Sequence, residues 1–339
     1  MSRLLLVLAL VGFAHAIPVA PNEQATTTLS AASGSPPPPP PPSPLPPYVD
    51  PPPPPSPSPP YVDPPPPPSP HPPCALDPAP SGTVLPSSLL DLSNWKLQTD
   101  LEKCNRGSGV REFYGAELTS FSSSEFYGDS ASNSITFITD VAGVTTKGKD
   151  GRTGYPRTEL RELTPSGSMA AWSSATGTHT MHVTQSVHRL PANRESTVIA
   201  QVKSNEEPIK AYPYCKIRAT VRGSTRPQFV IEMRIKYNDE AGATRERGLT
   251  FDRRFTLGEK IHITIVVEAP NTLTATVGAD GETPQTFTHD YTQVTPFNLP
   301  DATSHLYFKA GNYCQSNLDY SPNGETCEVH MHALSVTHS

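Results

Sequence analysis

The chain has 339 residues, of which 17% are charged, with 42 prolines, five cysteines and a formal net charge of −6 at pH 7. A mild acidic excess argues against nucleic acid as a partner, because nucleic-acid binding leaves a broad basic footprint. No Gly-rich phosphate loop, Walker-type lysine or G-x-S-x-G elbow is present, which sets aside nucleotide-dependent and serine-hydrolase chemistry.

Met1 to Ala16 pairs an apolar run, Leu4 to Phe13, with the small-x-small pattern Ala14-His15-Ala16, and is expected to be a secretory signal peptide too short to span a bilayer. No later run suits a transmembrane helix, so a secreted protein without membrane contact is expected. Residues 17–81 hold most of the prolines and repeat themselves, Tyr48-Val49-Asp50-Pro51 recurring as Tyr61-Val62-Asp63-Pro64. Such a tract buries no core and extends as polyproline II at about 3.1 Å per residue. Its Ser-Pro and Pro-run composition resembles the hydroxyproline-rich tracts of plant and green-algal wall glycoproteins, which suggests a cell-wall location; an inert spacer is the alternative.

From 82 to 339 the composition becomes globular. Ser87 to Asp91 is expected to form a short helix. Strand patterns follow at Ser134–Val141, Arg157–Leu163, Thr178–His188, Thr197–Ser204, Tyr214–Val221, Gln228–Tyr237, Ile261–Glu268, Thr272–Gly278, His305–Gly311 and Cys327–Thr337. Short runs separated by Gly, Pro, Asn and Asp, with no helical period competing, predict an all-β sandwich or jelly roll.

Several strands alternate an apolar face with a charged one. Ile217 and Ala219 alternate with Lys216 and Arg218, Met233 and Ile235 with Arg234 and Lys236, Leu160 with Arg157, Glu159 and Arg161, and Val198, Ala200 and Val202 with Ile199, Gln201 and Lys203. If these strands share a sheet, their polar faces make a basic concave surface; a solvated face with scattered cations is the alternative. Leu306 to Gln315 concentrates chemistry most. Tyr307, Lys309 and Tyr313 share one face if alternation holds through Gly311, while Leu306, Phe308 and Ala310 point to the core.

Cys314 and Cys327 bracket a polar loop between two strand patterns and are expected to pair. A Cys104–Cys215 bond is a weaker expectation, and Cys74 is left over. None has CxxC spacing, so no cysteine metal site is expected. His330 and His332, two apart on one strand, permit a metal but lack an evident carboxylate partner, and His188 reads as surface. No metal or other cofactor is expected.

Three blocks carry a resemblance. Tyr155-Pro156-Arg157-Thr158-Glu159-Leu160-Arg161-Glu162, Gln201-Val202-Lys203 and Tyr307-Phe308-Lys309-Ala310-Gly311-Asn312-Tyr313-Cys314-Gln315 resemble, in order, the R-[ST]-E-L-R, Q-[IV]-H and Y-F-K-A-G-x-Y-x-Q blocks of the polysaccharide lyase family 7 alginate lyases. Asn94-Trp95-Lys96-Leu97 is similar to the family's opening, and Leu334 to His338 to its last strand. The resemblance implies a jelly roll whose concave sheet holds an anionic polyuronate and cleaves it by β-elimination without a metal. Position by position, Arg157 and Arg161 would bind carboxylates, Gln201 would donate to the reacting uronate, Glu159 would orient the arginines, and Lys309 would bind substrate or depress the Tyr313 phenol. Tyr313 would be the catalytic acid and, on one face, the base as well. Tyr307, Arg218, Arg234 and Lys236 would line the groove.

Lys203 departs from the pattern, standing where the family has histidine. An exposed lysine, with a reference pKa of about 10.4, is a poor base. Lys203 could neutralise the carboxylate while Tyr313 moves both protons, act as base on another uronan, or mark a site that binds without cutting. Loss of the histidine is expected to tilt preference towards mannuronate or glucuronate linkages. Hydrolysis by paired carboxylates is disfavoured, since Glu159 and Glu162 fall on opposite strand faces. A wall-tethered, lectin-like polyuronate-binding protein is the rival from another class. A monomer is expected.

Overall fold

Strands form wherever β-branched and aromatic residues alternate with polar ones, and in chain order they are β1 (Trp95–Glu102), β2 (Val110–Tyr114), β3 (Phe126–Asp129), β4 (Ser134–Asp140), β5 (Arg157–Glu162), β6 (Thr178–Arg189), β7 (Ser196–Ser204), β8 (Cys215–Thr220), β9 (Gln228–Asn238), β10 (Thr244–Thr256), β11 (Lys260–Glu268), β12 (Thr272–Gly278), β13 (Gln285–Asp290), β14 (Leu306–Cys314) and β15 (Thr326–His338). One short helix, Gly115–Thr119, follows β2. The expected helix at Ser87–Asp91 is instead a 3-10 turn, Pro86–Ser88. This computed structural model describes residues 76–103, 109–145, 154–205, 213–223, 227–238, 244–292, 305–321 and 324–339. The signal-peptide and stalk readings, Cys74 and Cys104 lie outside the described residues.

Two sheets face each other, with every strand pairing antiparallel. The front sheet runs β10-β9-β8-β7-β14-β5-β1-β2 and the back sheet β13-β12-β11-β6-β15-β4-β3. Between them lies one apolar layer. Ile217, Ala219, Ile231, Met233, Ile235, Leu306, Phe308 and Ala310 of the front meet Met181, Val183, Ile263, Ile265, Leu273 and Val329 of the back, all at most 2% exposed. This is the jelly-roll sandwich that the alternation predicts. Removal of these inward side chains from water supplies the main drive for folding, at roughly 25 cal/mol per Å² of apolar surface.

Two details of register set the site. β7 carries a bulge between Val198 and Ala200, so Ile199 joins the core with Ala200 while Val198 lies opposite Arg218 and Tyr313. Strict alternation along β7 placed Val198 with Ala200 and Val202; the extra residue reverses the facing at that end of the strand. On β14, Gly311 has φ of 136°, and a Cβ there would sit 3.0 Å from both Glu159 Cα and Thr158 O. Glycine alone fits, and the pairing Lys309↔Arg161, Gly311↔Glu159, Tyr313↔Arg157 continues unbroken past it.

Asn312 fixes β14 from the core side. Its Nδ2 donates to Phe137 O at 3.0 Å and Cys327 O at 2.8 Å, and its Oδ1 accepts from Thr197 Oγ1 at 2.7 Å. One buried amide therefore ties the site strand to both β4 and β15. Asn312→Ala strands these partners in a dry interior, where each unsatisfied group costs about 1–3 kcal/mol; the expected result is a loss of about 2–3 kcal/mol in denaturant unfolding. The Cys314–Cys327 disulfide is made as expected, with Cα atoms 5.8 Å apart. Cys215 is a free thiol fully buried in the core, which corrects the expected pairing with Cys104. Its side chain points between the sheets, opposite Val202 and Ile235 in register.

Candidate active site

Because partners in register share a face, the front sheet collects its polar residues on the side away from the core. Lys96, Arg161, Lys309, Gln201, Lys216 and Arg234 follow one another across β1, β5, β14, β7, β8 and β9, with Gln98 and Glu159 in the next row and Tyr307 paired to Lys203. All three sequence blocks thus meet on adjacent strands.

Glu159 is the electrostatic centre of this face. Fully buried, it accepts from Gln201 Nε2 at 2.5 Å, pairs with Arg157 Nη1 at 3.5 Å and forms a close ion pair with Lys309. Lys309, 2% exposed, also donates to Gln98 Oε1 at 2.6 Å, and Gln98 passes the chain on to Glu112 at 2.8 Å. Burial pushes the Lys309 ammonium down to about 7, with Arg157 and Lys203 adding to the shift and Glu159 opposing it. Lys309 therefore underpins the groove: its nitrogen is already engaged by Glu159 and Gln98.

Above this layer two guanidiniums sit over two phenol rings, Arg157 Cζ 3.7 Å from the Tyr313 ring centroid and Arg161 Cζ 3.9 Å from that of Tyr307. Stacking of this kind is worth about 0.5–2 kcal/mol and fixes the orientation of both partners. The cation beside the Tyr313 ring is therefore Arg157. Arg157 is 3% exposed, and its Nε and Nη2 have no acceptor among the described residues; Arg161 donates from Nη2 to Asn205 Oδ1 at 2.7 Å, and only its Nε is buried without an acceptor among them. Burial raises the Tyr307 phenol, with Glu159 adding to the effect, and leaves it 6% exposed as a wall of the site. Lys203 is half-buried. Burial lowers its ammonium to about 8, and Arg157, Arg161 and Lys216 press in the same direction against Glu159.

The far end of the face is less basic than its arginines and lysines suggest. Glu232, fully buried, accepts from Arg218 at 2.6 Å and pairs with Arg234 at 3.3 Å and with Arg222. Glu246 meets Lys236 at 2.9 Å, Lys216 at 3.3 Å and Arg234; burial works against its ionisation, but these cations hold it down to about 2. Arg218, Arg234 and Lys236 are thus brought to the groove face already paired. Sequence reading picked out the cations there and missed Glu246 and Gln98, although the alternation of Lys96 and Gln98 next to Asn94-Trp95 was a usable signal. Trp95 is a core residue at 5% exposure, and Trp172 packs on Phe308 and donates to Glu162 at 3.0 Å.

An arginine-, amide- and tyrosine-lined sheet face of this composition suits anionic carbohydrate chemistry, and comparison identifies its lineage. The family described as Alginate lyase matches residues 90–338. The chain belongs to the family 7 alginate lyases. Among solved structures, the alginate lyase AlgAT5 from polysaccharide lyase family 7 is 28% identical with a TM-score of 0.55, over 76% of this chain and all of that one. The alginate lyase from Corynebacterium sp. is 26% identical with a TM-score of 0.55, over 76% and 99% of the two chains. Alginate lyase A1-II′ is 27% identical with a TM-score of 0.58, over 77% and 98%, in a variant with one histidine changed to asparagine and one tyrosine to phenylalanine, in complex with substrate (GGMG). No curated protein sequence matches the chain. As an alginate-lyase-family enzyme, the protein is a polysaccharide lyase.

Proposed function

We propose that this is a secreted lyase that cleaves a polyuronate by metal-independent β-elimination, with mannuronate or glucuronate linkages preferred. The observation that carries the reading is Arg157, buried on the Tyr313 ring with two N–H groups lacking an acceptor among the described residues, next to Lys203. In β-elimination the C5–H bond breaks, its electrons form the C4=C5 double bond, and the C4–O4 bond breaks as O4 takes up a proton. Negative charge grows on the C6 carboxylate, and preorganised donors stabilise it. Arg157, the remaining N–H of Gln201 and cationic Lys203 fill that role, held in place by Glu159. The phenolate of Tyr313 takes the C5 proton and returns it to O4.

Lys203 is assigned as a cation because an arriving polyanion raises its pKa again, keeping it charged in the complex. With one phenol serving both transfers, H5 and O4 must lie on the same face of the ring. β-D-mannuronate and β-D-glucuronate meet that condition and α-L-guluronate does not. Equal turnover of polyguluronate, polymannuronate and polyglucuronate, followed by ultraviolet absorbance of the unsaturated product, would overturn the preference. No turnover with salt-sensitive binding retained would make the protein a tethered receptor.

The pH profile separates the two roles of Lys203. As a required cation in the free enzyme it makes kcat/KM fall as pH rises through about 8. Lys203→Arg is expected to remove that falling limb, and Lys203→Gln to lower kcat/KM by about 10²–10³-fold, as expected for a lost charge-stabilising donor. A profile that rises through the same pH in the wild type and loses that rise in Lys203→Arg would make Lys203 the base. Residues 1–16 are proposed to be removed on secretion and 17–81 to tether a monomeric catalytic domain, 82–339, in a wall matrix. Detection of a mature chain starting at Ile17 in the medium or wall fraction would test the first part.

A further inference from the structure

We propose that His188, Glu328 and His330 bind a divalent transition-metal ion of the zinc class on the outer face of the back sheet, clasping β6 to β15. Each residue offers one ligand atom, and the three atoms lie within 4.8 Å of one another. His188 comes from β6 and the other two from β15, whose pairing sets His330 opposite Ser186 and Glu328 opposite Arg189. The sequence suggested His330 with His332; the antiparallel register supplies His188 as the second imidazole, and Glu328, two residues before His330, as the carboxylate.

The local arrangement is organised for a ligand. The His188 and His330 rings stack at 3.7 Å with planes 16° apart, and His330 Nε2 lies 2.9 Å from Glu328 Oε1. Ser186 Oγ lies 3.0 Å from His188 Nε2 and 2.9 Å from His332 Nε2, holding the first ring from behind as the outer partners of metal ligands do. Both β15 ligands are half-buried, with side chains 13% and 16% exposed, so their geometry is set by the sheet. Two nitrogens and one carboxylate oxygen suit zinc, copper or nickel, and exclude a hard oxygen-seeking ion such as calcium as the best fit. Ligand bonds of about 2.0–2.2 Å place tetrahedral donors about 3.3–3.6 Å apart, so separations of up to 4.8 Å would close by roughly 1 Å while the His330–Glu328 pair opens slightly, within reach of side-chain rotation. Arg189, 59% exposed, lies 3.2 Å from Glu328 Oε2 and also donates to Thr326 Oγ1 at 2.8 Å, so a metal ion would compete with this solvent-exposed pair for the carboxylate.

The clasp sits next to Cys327, which is bonded to Cys314 beside Tyr313, so it would stiffen the strand that anchors the site strand without touching substrate. The test is titration of the EDTA-dialysed full chain with zinc chloride, read by calorimetry and by thermal melting. One ion per chain and a rise in Tm of about 5 °C at a hundredfold excess over Kd are expected. H188Q and H330Q should each abolish both signals, while H182Q, an outward histidine on β6 bonded to Thr264, should keep them. A wild-type chain with no heat and no Tm change overturns the proposal, as does zinc binding that survives both H188Q and H330Q.

Discussion

Tyr313→Phe is expected to lower kcat by about 10³-fold or more while leaving affinity for a polyuronate within a few-fold of wild type. The expected size follows from the role: a positioned acid–base group contributes about 10²–10⁴-fold per transfer, and one phenol is assigned to both transfers. The substitution removes one oxygen and keeps the ring, so the Arg157 guanidinium retains the aromatic face on which it stacks. Binding rests on Arg157, Arg161 and Lys203, none of which is altered. Initial rates from the absorbance of the unsaturated product, set beside calorimetric affinity at fixed salt, measure the two quantities separately. A variant that keeps a tenth of the wild-type rate would show that another group carries the protons, and Lys203 would be the next to change.

The stability of that variant should match wild type to within about 1 kcal/mol, since no cavity opens and no buried partner is lost. Arg157→Ala is the opposite case. It frees one face of the Tyr313 ring and removes a neighbour of Glu159, so rate and stability should fall together. Comparing the two separates the chemistry of the phenol from the scaffold that aims it.

Much of this arrangement was legible from residue order, and the parts that were not share a cause. All ten strand patterns became strands because each lies where one face is buried, which forces alternation. Of the five missed strands, β2, β3, β10 and β13 are the four edges of the two sheets. These edges are short or charge-rich, so the period-two signal fades although Phe113, Phe126, Phe251 and Phe255 still reach the core; β10, reading Thr-Arg-Glu-Arg-Gly-Leu-Thr-Phe-Asp-Arg-Arg-Phe-Thr, also shifts register between Thr250 and Arg254. The site's basic residues were visible as alternating cations. Of its acids only Glu159 was given a role: whether Glu232 and Glu246 neutralise Arg218, Arg234 and Lys236 depends on which strands become neighbours, and a single strand does not encode that. The same holds for Val198, turned to the groove face by a bulge, and for Asn312, whose partners come from β4, β7 and β15. Neither has a local sequence signature.

Glu159→Gln is expected to cost about 3–5 kcal/mol of stability at pH 6, the range for leaving a buried ion without its partner. The amide keeps the shape and can still accept from Gln201, so the loss isolates charge. Lys309 stands at about 7 even with Glu159 holding it up, and burial drives it lower once the carboxylate is gone. At pH 6 the folded variant then holds Lys309 neutral or charged without compensation, whereas the unfolded chain carries it protonated up to about 10.4. Unfolding takes up a proton, so the variant's stability rises with pH. The wild type gains stability in the same way only above about pH 7, where its own Lys309 loses the proton, so the difference between the two proteins should shrink as pH rises to about 7 and stay level from there to pH 9. Urea unfolding across that interval reads the difference directly. A cost that stays constant with pH would assign it to the Arg157 and Gln201 contacts, and Lys309 would then be a packing residue beneath the groove whose charge is incidental to the fold.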